Sequence, residues 1–496
     1  MTTPSGTGTE VPERSAPEGV RFGVVRGITY GVLAPPDEFL PQARGLGAGL
    51  VRVFLYWAQI EPTRGTYRWD AVDRLLGQLD GTEEVWITVC GSSPWGARHA
   101  TDLLPPSPAT DLAAYERFVR ALVEHCGGRV RYWQCENEPC YPFFWDGTPE
   151  EYVTQLSTLA HAVRAVDPDA WVVLGGAPPG LVGDEVDEPE ASFFHHLLDA
   201  GRDAFDLFDL HLYGDPYAVT DMIGRARALM RAAGYDRPVL VGEYNGPLLF
   251  QWPELFAELK EVLAAGAMDA ANVVGDSDQF LRRSELDTPP RAAMRALYER
   301  RDALPDRLAM FLHDCAPELA DRRHRIAARE MVVRNLLALA AGVPRTTCWQ
   351  LGPEAPDQGD PYEFMDLLFG KFMLMRNENG RLGDRYPAGD TLALLAGQLV
   401  GVESVRRVPA SREPGSPTEQ DLYLFEVSRQ HADPVMVVWQ RREEFDGETQ
   451  PAVPFGRLWP YPSVTALDAL GRPVKATVDD GLVRLDITDT PVFLTR

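Results

Sequence analysis

Several things are scarce or missing in this chain, and each removes a class of function. No stretch of its 496 residues approaches the roughly 18 consecutive apolar residues of a membrane-spanning helix, so no membrane partner is expected. Basic residues are few: 48 Lys and Arg stand against 73 Asp and Glu, a formal charge of -25. Polyanions gain binding free energy from clustered cations, so nucleic acid and anionic lipid surfaces are poor partners, whereas a neutral small substrate is not disfavoured. Residues 1–20, rich in Thr, Ser, Gly, Glu and Pro, have neither the basic start nor the apolar run of a secretory signal. They read as a disordered leader, and a cytoplasmic location is the expectation. The six cysteines, at 90, 126, 135, 140, 315 and 348, never form a Cys-x-x-Cys pair, which argues against a zinc site and favours reduced, buried thiols. No His-x-His or Asp-His cluster stands at a strand end, and His195-His196 falls in helical text, so neither metal nor organic cofactor is expected.

What is present is a long alternation of short apolar runs with amphipathic segments, the pattern of repeated βα units. Eight runs, at 22–30, 50–55, 85–90, 130–135, 171–175, 207–211, 239–242 and 346–349, predict the strands of a closed (β/α)8 barrel. Val72, Leu75, Leu76 and Leu79 follow helical spacing, as do Tyr152, Leu156, Leu159 and Val163. Thr148-Pro149-Glu150-Glu151 has the form of a capping box that opens the second of these helices. The interval 244–345 is too long for one βα connection and predicts an insertion near the barrel mouth. Beyond about Val400 short alternating runs separated by Gly471-Arg472-Pro473 and Asp479-Asp480-Gly481 predict an antiparallel β-sandwich. The expected division is therefore a leader over 1–20, a barrel over 21–398 and a sandwich over 399–496.

Two of the predicted strands end in glutamate. Asn137-Glu138-Pro139 follows the fourth and Gly242-Glu243-Tyr244 the seventh, so both carboxyls should reach the C-terminal face of the barrel. Two carboxyls about 5 to 5.5 Å apart suffice for glycoside hydrolysis with retention, one attacking the anomeric carbon while the other protonates the leaving oxygen. Glu136, two residues before Glu138, is placed by strand alternation on the same face one layer deeper, where it needs an arginine or amide partner or a proton.

With these motifs the chain resembles clan A of the glycoside hydrolases, retaining (β/α)8 enzymes, over roughly 22–350. It is most similar to the β-xylosidase and α-L-iduronidase branch, family 39. Trp57-Ala58-Gln59-Ile60-Glu61-Pro62 and Gly65-Thr66-Tyr67-Arg68-Trp69-Asp70 resemble the clan's segment after strand two. The resemblance implies that Glu138 is the acid/base, that Asn137 bonds the sugar 2-hydroxyl and that Glu243 is the nucleophile. It implies that Arg52 holds Glu243 ionised and that His211 and Tyr213, in His211-Leu212-Tyr213, stand beside it. It places Trp349 under the sugar; Trp95 could stack similarly, or both rings could be core. The expected substrate is thus an oligosaccharide or small-molecule glycoside, cleaved by double displacement. The same residues would serve a transglycosylase, and a non-catalytic carbohydrate-binding barrel is the alternative from another class.

Overall fold

A computed structural model describes residues 14–182, 188–270, 275–354, 361–378, 380–409 and 421–496. Eight parallel strands form one sheet: β1 Arg21–Val25, β2 Leu50–Tyr56, β3 Glu84–Cys90, β4 Tyr132–Cys135, β5 Trp171–Val173, β6 Phe208–Leu212, β7 Val239–Tyr244 and β8 Arg345–Cys348. Their order is β5-β4-β3-β2-β1-β8-β7-β6, and its two ends meet. Val173 bridges Leu207 and Ala177 bridges Leu210, while the Leu174 N–H donates to Leu207 at 3.0 Å and the His211 N–H to Ala177 at 2.9 Å. The sheet is therefore a closed (β/α)8 barrel, as expected. Each predicted run holds a strand, although the first is shorter than its run and the seventh extends to Tyr244.

Alternation along each strand sends every second side chain inward. The lowest interior layer is apolar, with Leu50, Trp86, Tyr132, Trp171, Val173, Leu207 and Leu240 packed on one another. Two residues further along the strands stand Arg52, Thr88, Gln134, Asp209 and Thr347, all fully buried. The barrel thus changes from apolar to polar one layer below its C-terminal mouth. Outward residues of the same strands, among them Val51, Val53, Ile87, Val89, Trp133 and Val172, join the apolar stripes of the surrounding helices in the main core.

Two helices next to β4 show why the sequence folds so locally. Asp111 caps Leu112–Cys126 by accepting from the Ala113 and Ala114 N–H groups, and Gly127, at φ +58°, ends it. Thr148 and Glu151 close the expected capping box on Pro149–Val166, whose buried stripe includes Tyr152, Leu156, Leu159 and Val163. At the opposite end of the barrel the leader reading needs correction. Arg14 lies 3.7 Å over the Trp171 ring and donates to Ala170 and Asp169, and Arg345 donates to the Glu18 carbonyl at 2.9 Å. Residues 14–20 are anchored there by a cation on an aromatic face and by backbone acceptors; residues 1–13 lie outside the described residues.

Between β7 and β8, helices Phe256–Ala270 and Pro289–Glu299 with flanking turns build a separate small core around Leu249, Trp252, Leu259, Met294, Leu297 and Phe311. The following helix, Pro317–Ala340, is the barrel's own, since Met331, Val332, Leu336 and Leu337 join the main core. The insertion crosses to the loop after β3. Gly275 donates to the Leu104 carbonyl at 3.1 Å, and Ser277 donates to Asp102 through its N–H at 2.8 Å and its hydroxyl at 2.6 Å.

A hairpin, β9 Met375–Glu378 with β10 Arg381–Arg385, leads to the C-terminal sheets. One holds β11 Val402–Arg407, β12 Leu422–Arg429, β13 Ala432–Gln440, β18 Val492–Thr495 and β15 Thr465–Asp468; the other holds β14 Val453–Leu458, β17 Leu482–Ile487 and β16 Ala476–Asp479. All neighbours are antiparallel, and Leu424, Val438 and Leu494 from the first sheet meet Phe455, Val483 and Leu485 from the second, as in a sandwich. Trp439 joins this unit to the barrel by donating to the Tyr217 hydroxyl at 3.0 Å. Among the described residues no helix is long and apolar enough to cross a membrane.

Candidate active site

The site is built on Arg52, which the inward phase of β2 places in the polar layer with no exposed surface. All its donating nitrogens are engaged. Nε donates to Thr88 Oγ1 at 3.1 Å; Nη1 donates to the Gly242 carbonyl at 3.0 Å and Glu243 Oε1 at 2.9 Å; Nη2 donates to Gln134 Oε1 and Asn137 Oδ1, each at 2.7 Å. A planar fork with five donors suits this role and a point-charge ammonium does not.

Glu243 reaches the barrel interior because β7 is irregular. Leu240 already faces inward, so simple alternation would turn Glu243 outward. The pairing of β6 with β7 shifts register between Asp209 and His211, which changes the phase and sets His211 beside Glu243. Gly242 makes this possible, since a Cβ there would lie 2.4 Å from the Asp209 carboxylate, whose Oδ1 accepts the Gly242 N–H at 2.6 Å. The second oxygen of Glu243 accepts from the Tyr213 hydroxyl at 2.9 Å.

His211 joins the two predicted glutamates. Its Nδ1 lies 2.7 Å from Glu138 Oε1 and 3.6 Å from Glu243 Oε2, and its Nε2 lies 3.3 Å from Asp209. Those two oxygens are therefore at most 6.3 Å apart, 2.7 plus 3.6. Burial would lower the proton affinity of His211, but Glu243, Asp209 and Glu138 together raise it to about 10, so the ring is cationic at neutral pH. Burial raises Asp209, yet His211, Arg52 and Gln134 outweigh it and hold the carboxyl below its ordinary value. For Glu243 burial has the larger effect: helped by Glu138, and opposed by His211 and Arg52, it leaves the carboxyl above the usual range.

Glu138, Glu243, Arg52, Asn137, His211 and Tyr213 thus come together. Trp349, half-buried at the end of β8, lies where two apolar clusters meet, one holding Tyr56, Phe143, Phe144 and Phe280 and the other Tyr213 and Phe372. Trp95 is not tied to this group. Its ring packs edge-on against Trp57 at 5.0 Å and its indole N–H donates to the Glu61 carbonyl at 2.8 Å, which serves the packing of the segment after β2. Glu136 does not continue the alternation, because the backbone leaves the extended region there, with φ +55° at Glu136 and +35° at Glu138. Asp209 and Gln134 were missed by the sequence reading. Gln134 Nε2 donates to Asp209 at 2.7 Å, so the two join Arg52 to His211. The signal available was Asp209-Leu210-His211, a carboxyl one inward step below the histidine. Among the described residues no group of His, Cys, Asp and Glu side chains could hold a metal ion.

No family model matches the sequence, and no curated protein matches it. Solved structures do. A family 39 glycoside hydrolase from Bacteroides cellulosilyticus superposes with a TM-score of 0.59 at 15% identity, over 96% of this chain and 80% of that one. The chain shares its fold. The GH39 enzyme of Xanthomonas axonopodis pv. citri gives 0.57 at 14% identity over 97% and 95% of the two chains. A glucosidase from Croceicoccus marinus gives 0.55 at 13% identity over 96% of each.

Proposed function

We propose that this protein is a retaining glycosidase of the family 39 type, acting on an oligosaccharide or a small-molecule glycoside. The observation that carries the reading is that Glu138 and Glu243 meet at one imidazole nitrogen while Arg52 and Tyr213 hold Glu243. Sharing that nitrogen brings the two carboxyls close enough to act on opposite sides of one glycosidic bond. In the first step a Glu243 oxygen attacks the anomeric carbon and the bond to the leaving oxygen breaks. That oxygen takes the proton of Glu138, and an ester to Glu243 results. In the second step Glu138 takes a proton from water, the water oxygen attacks the anomeric carbon, and the Glu243 carboxylate departs.

The neighbours have definite work in this scheme. Arg52 and Tyr213 stabilise the carboxylate that attacks and later leaves. Because Asn137 Oδ1 accepts from Arg52, its amide NH2 is left to donate to the sugar 2-hydroxyl. Trp349 offers an aromatic face on which axial C–H groups pack, and its indole N–H has no protein partner.

The test is mass spectrometry of the wild type, Glu243→Gln and Glu138→Gln after incubation with a panel of 2-fluoro glycosides, alongside turnover of the matching aryl glycosides. A covalent adduct on Glu243 is expected. Turnover that survives Glu243→Gln refutes the mechanism.

A further inference from the structure

Glu136 is the acidic side chain beside the proposed donor that the reaction leaves unused. It is completely buried. Its Oε1 accepts the Gly91 N–H from the end of β3 at 2.8 Å and the Gln155 side-chain amide from helix Pro149–Val166 at 3.0 Å. Gln155 extends the contact by accepting the Ala109 N–H at 3.0 Å. A Cβ at Gly91 would lie 2.9 Å from Glu136 Oε1 and 2.6 Å from the Gln155 amide, so glycine is required for this approach. The same short turn holds Glu136 at φ +55° and Glu138 at φ +35°, backbone angles that L residues keep only where the surroundings enforce them.

We infer that Glu136 is a positioning residue for the reaction at Glu138: its side chain ties the end of β3 and helix Pro149–Val166 to the turn 136–138, and so fixes where Asn137 meets Arg52 and where Glu138 meets His211. The inference rests on the reading of Glu138 as proton donor. The backbone of the turn is held as well, by the Glu136 N–H on the Val89 carbonyl at 3.1 Å, the Tyr141 N–H on the Glu138 carbonyl at 3.0 Å and the Tyr152 hydroxyl on the Cys135 carbonyl at 2.7 Å, so the Glu136 side chain adds the grip from Gly91 and Gln155. Among the described residues the Asn137 side chain is gripped at its Oδ1 alone, and the Glu138 side chain must stay free to exchange its proton.

The clamp works in one protonation state. Oε2 of Glu136 has no protein partner, and among the described residues no cation pairs with it. Burial pushes its carboxyl up to about 8, with the Gly91 and Gln155 hydrogen bonds pulling the other way. The titratable groups facing it are Tyr56, Cys90, Tyr115, Cys135 and Tyr152, each itself raised well above its ordinary value by burial. Glu136 therefore ionises before any of them. Above about pH 8 an unpaired charge appears in the clamp, and water must enter or the turn must shift.

The experiment compares kcat and KM from pH 5 to 10 for the wild type, Glu136→Gln, Glu136→Ala and the Glu243→Gln control, together with the 15N resonances of the His211 ring. Glu136→Ala should lower kcat by about 100-fold with KM nearly unchanged and should move the His211 resonances, the effect of misplacing the donor by about 1 Å. Glu136→Gln keeps the accepting oxygen and cannot ionise. It should restore kcat at pH 7, restore the His211 resonances and remove the alkaline fall near pH 8. Wild-type kcat in Glu136→Ala, or an alkaline fall unchanged in Glu136→Gln, overturns the inference. If Glu136→Ala does not fold, Gln155→Leu, which removes one of the two donors, takes its place beside the Glu136→Gln profile. Turnover lost in Glu243→Gln but untouched in the Glu136 variants defeats this inference alone. An inert wild type, or turnover persisting in Glu243→Gln, defeats the parent reading, and the His211 resonances still report whether Glu136 positions Glu138.

Discussion

Replacing Arg52 by Met removes the cation 2.9 Å from Glu243 and leaves the Gly242 carbonyl, Asn137 Oδ1 and Glu243 Oε1 without the donor they share. Because the pair is buried, the orphaned carboxylate should destabilise the fold by about 3–5 kcal/mol. Arg52 favours the ionised form of Glu243, so its loss must raise that carboxyl further. The proposed nucleophile acts only when ionised, so the acidic limb of kcat/KM should move up by the same amount. Arg52→Lys separates charge from geometry: Gln134 Oε1 and the Gly242 carbonyl keep donors in Thr88 and Thr347, but a single ammonium must reach the remaining acceptors without the planar fork, at about 1–3 kcal/mol for any it leaves unfilled. It should retain most of the acidic limb and lose much of the stability. Urea unfolding and pH profiles of aryl glycoside turnover measure both quantities. An acidic limb unmoved in Arg52→Met would refute the account, since Glu243 would then owe its charge to His211 alone.

Three other outcomes are expected. Tyr213→Phe removes a 2.9 Å hydrogen bond to Glu243 and should lower kcat/KM about 10- to 100-fold, as befits about 1.5–3 kcal/mol for a bond to a charged group; a loss under about threefold in steady-state assays contradicts it. Asp209→Asn keeps the shape but takes away the anion 3.3 Å from His211 Nε2, so the imidazole, now near 10, should titrate at lower pH in 15N NMR spectra; an unchanged midpoint excludes Asp209 as a support of that charge. Glu448 lies between Arg322, Arg325 and Arg329 where sandwich meets barrel, and against burial Arg325 and Arg329 hold its carboxyl down to about 2. A depressed acid stabilises the fold above its ordinary value and loses that contribution as pH falls through the folded value. Glu448→Gln should therefore lower stability by about 1–2 kcal/mol at pH 7, allowing for solvent screening, with the difference in Tm closing between pH 4.5 and 2.

The barrel was legible because its strands are buried on both faces and read as apolar runs bounded by helical stripes. Glu138, Glu243, Arg52, His211 and Tyr213 were legible because each follows or lies within such a run at the end that opens on the mouth. Gln134 and Asp209 were not, since a polar residue in mid-strand declares its role only beside neighbours from other strands. The direction of Glu136 was misjudged for a different reason: alternation assumes extended backbone, and the chain turns at that residue. The anchoring of residues 14–20 depends on Arg14 stacking over the Trp171 ring, which the composition of the segment does not encode. Trp95 shows the converse, a residue whose sequence context suits a sugar platform but whose ring is engaged with Trp57 and Glu61.

The polar layer also bears on which glutamate should be the donor. Arg52 and the cationic His211 can balance two carboxylates, and three carboxyls surround them. The side chain of Asp209 has no exposed surface and that of Glu243 7%, while Glu138 keeps 13%. Ionising the two deeper groups places both charges within reach of cations that are themselves inaccessible to solvent, where the attraction is screened least. The third carboxyl, Glu138, meets His211 Nδ1 at 2.7 Å at the rim of the cluster and keeps the largest exposed share of the three. Double displacement needs a donor that gives its proton to the leaving group and recovers one from water before the next turnover. The carboxyl closest to solvent can do so without opening the core, whereas both oxygens of Glu243 are already taken by Arg52 and Tyr213 and its side chain is less exposed.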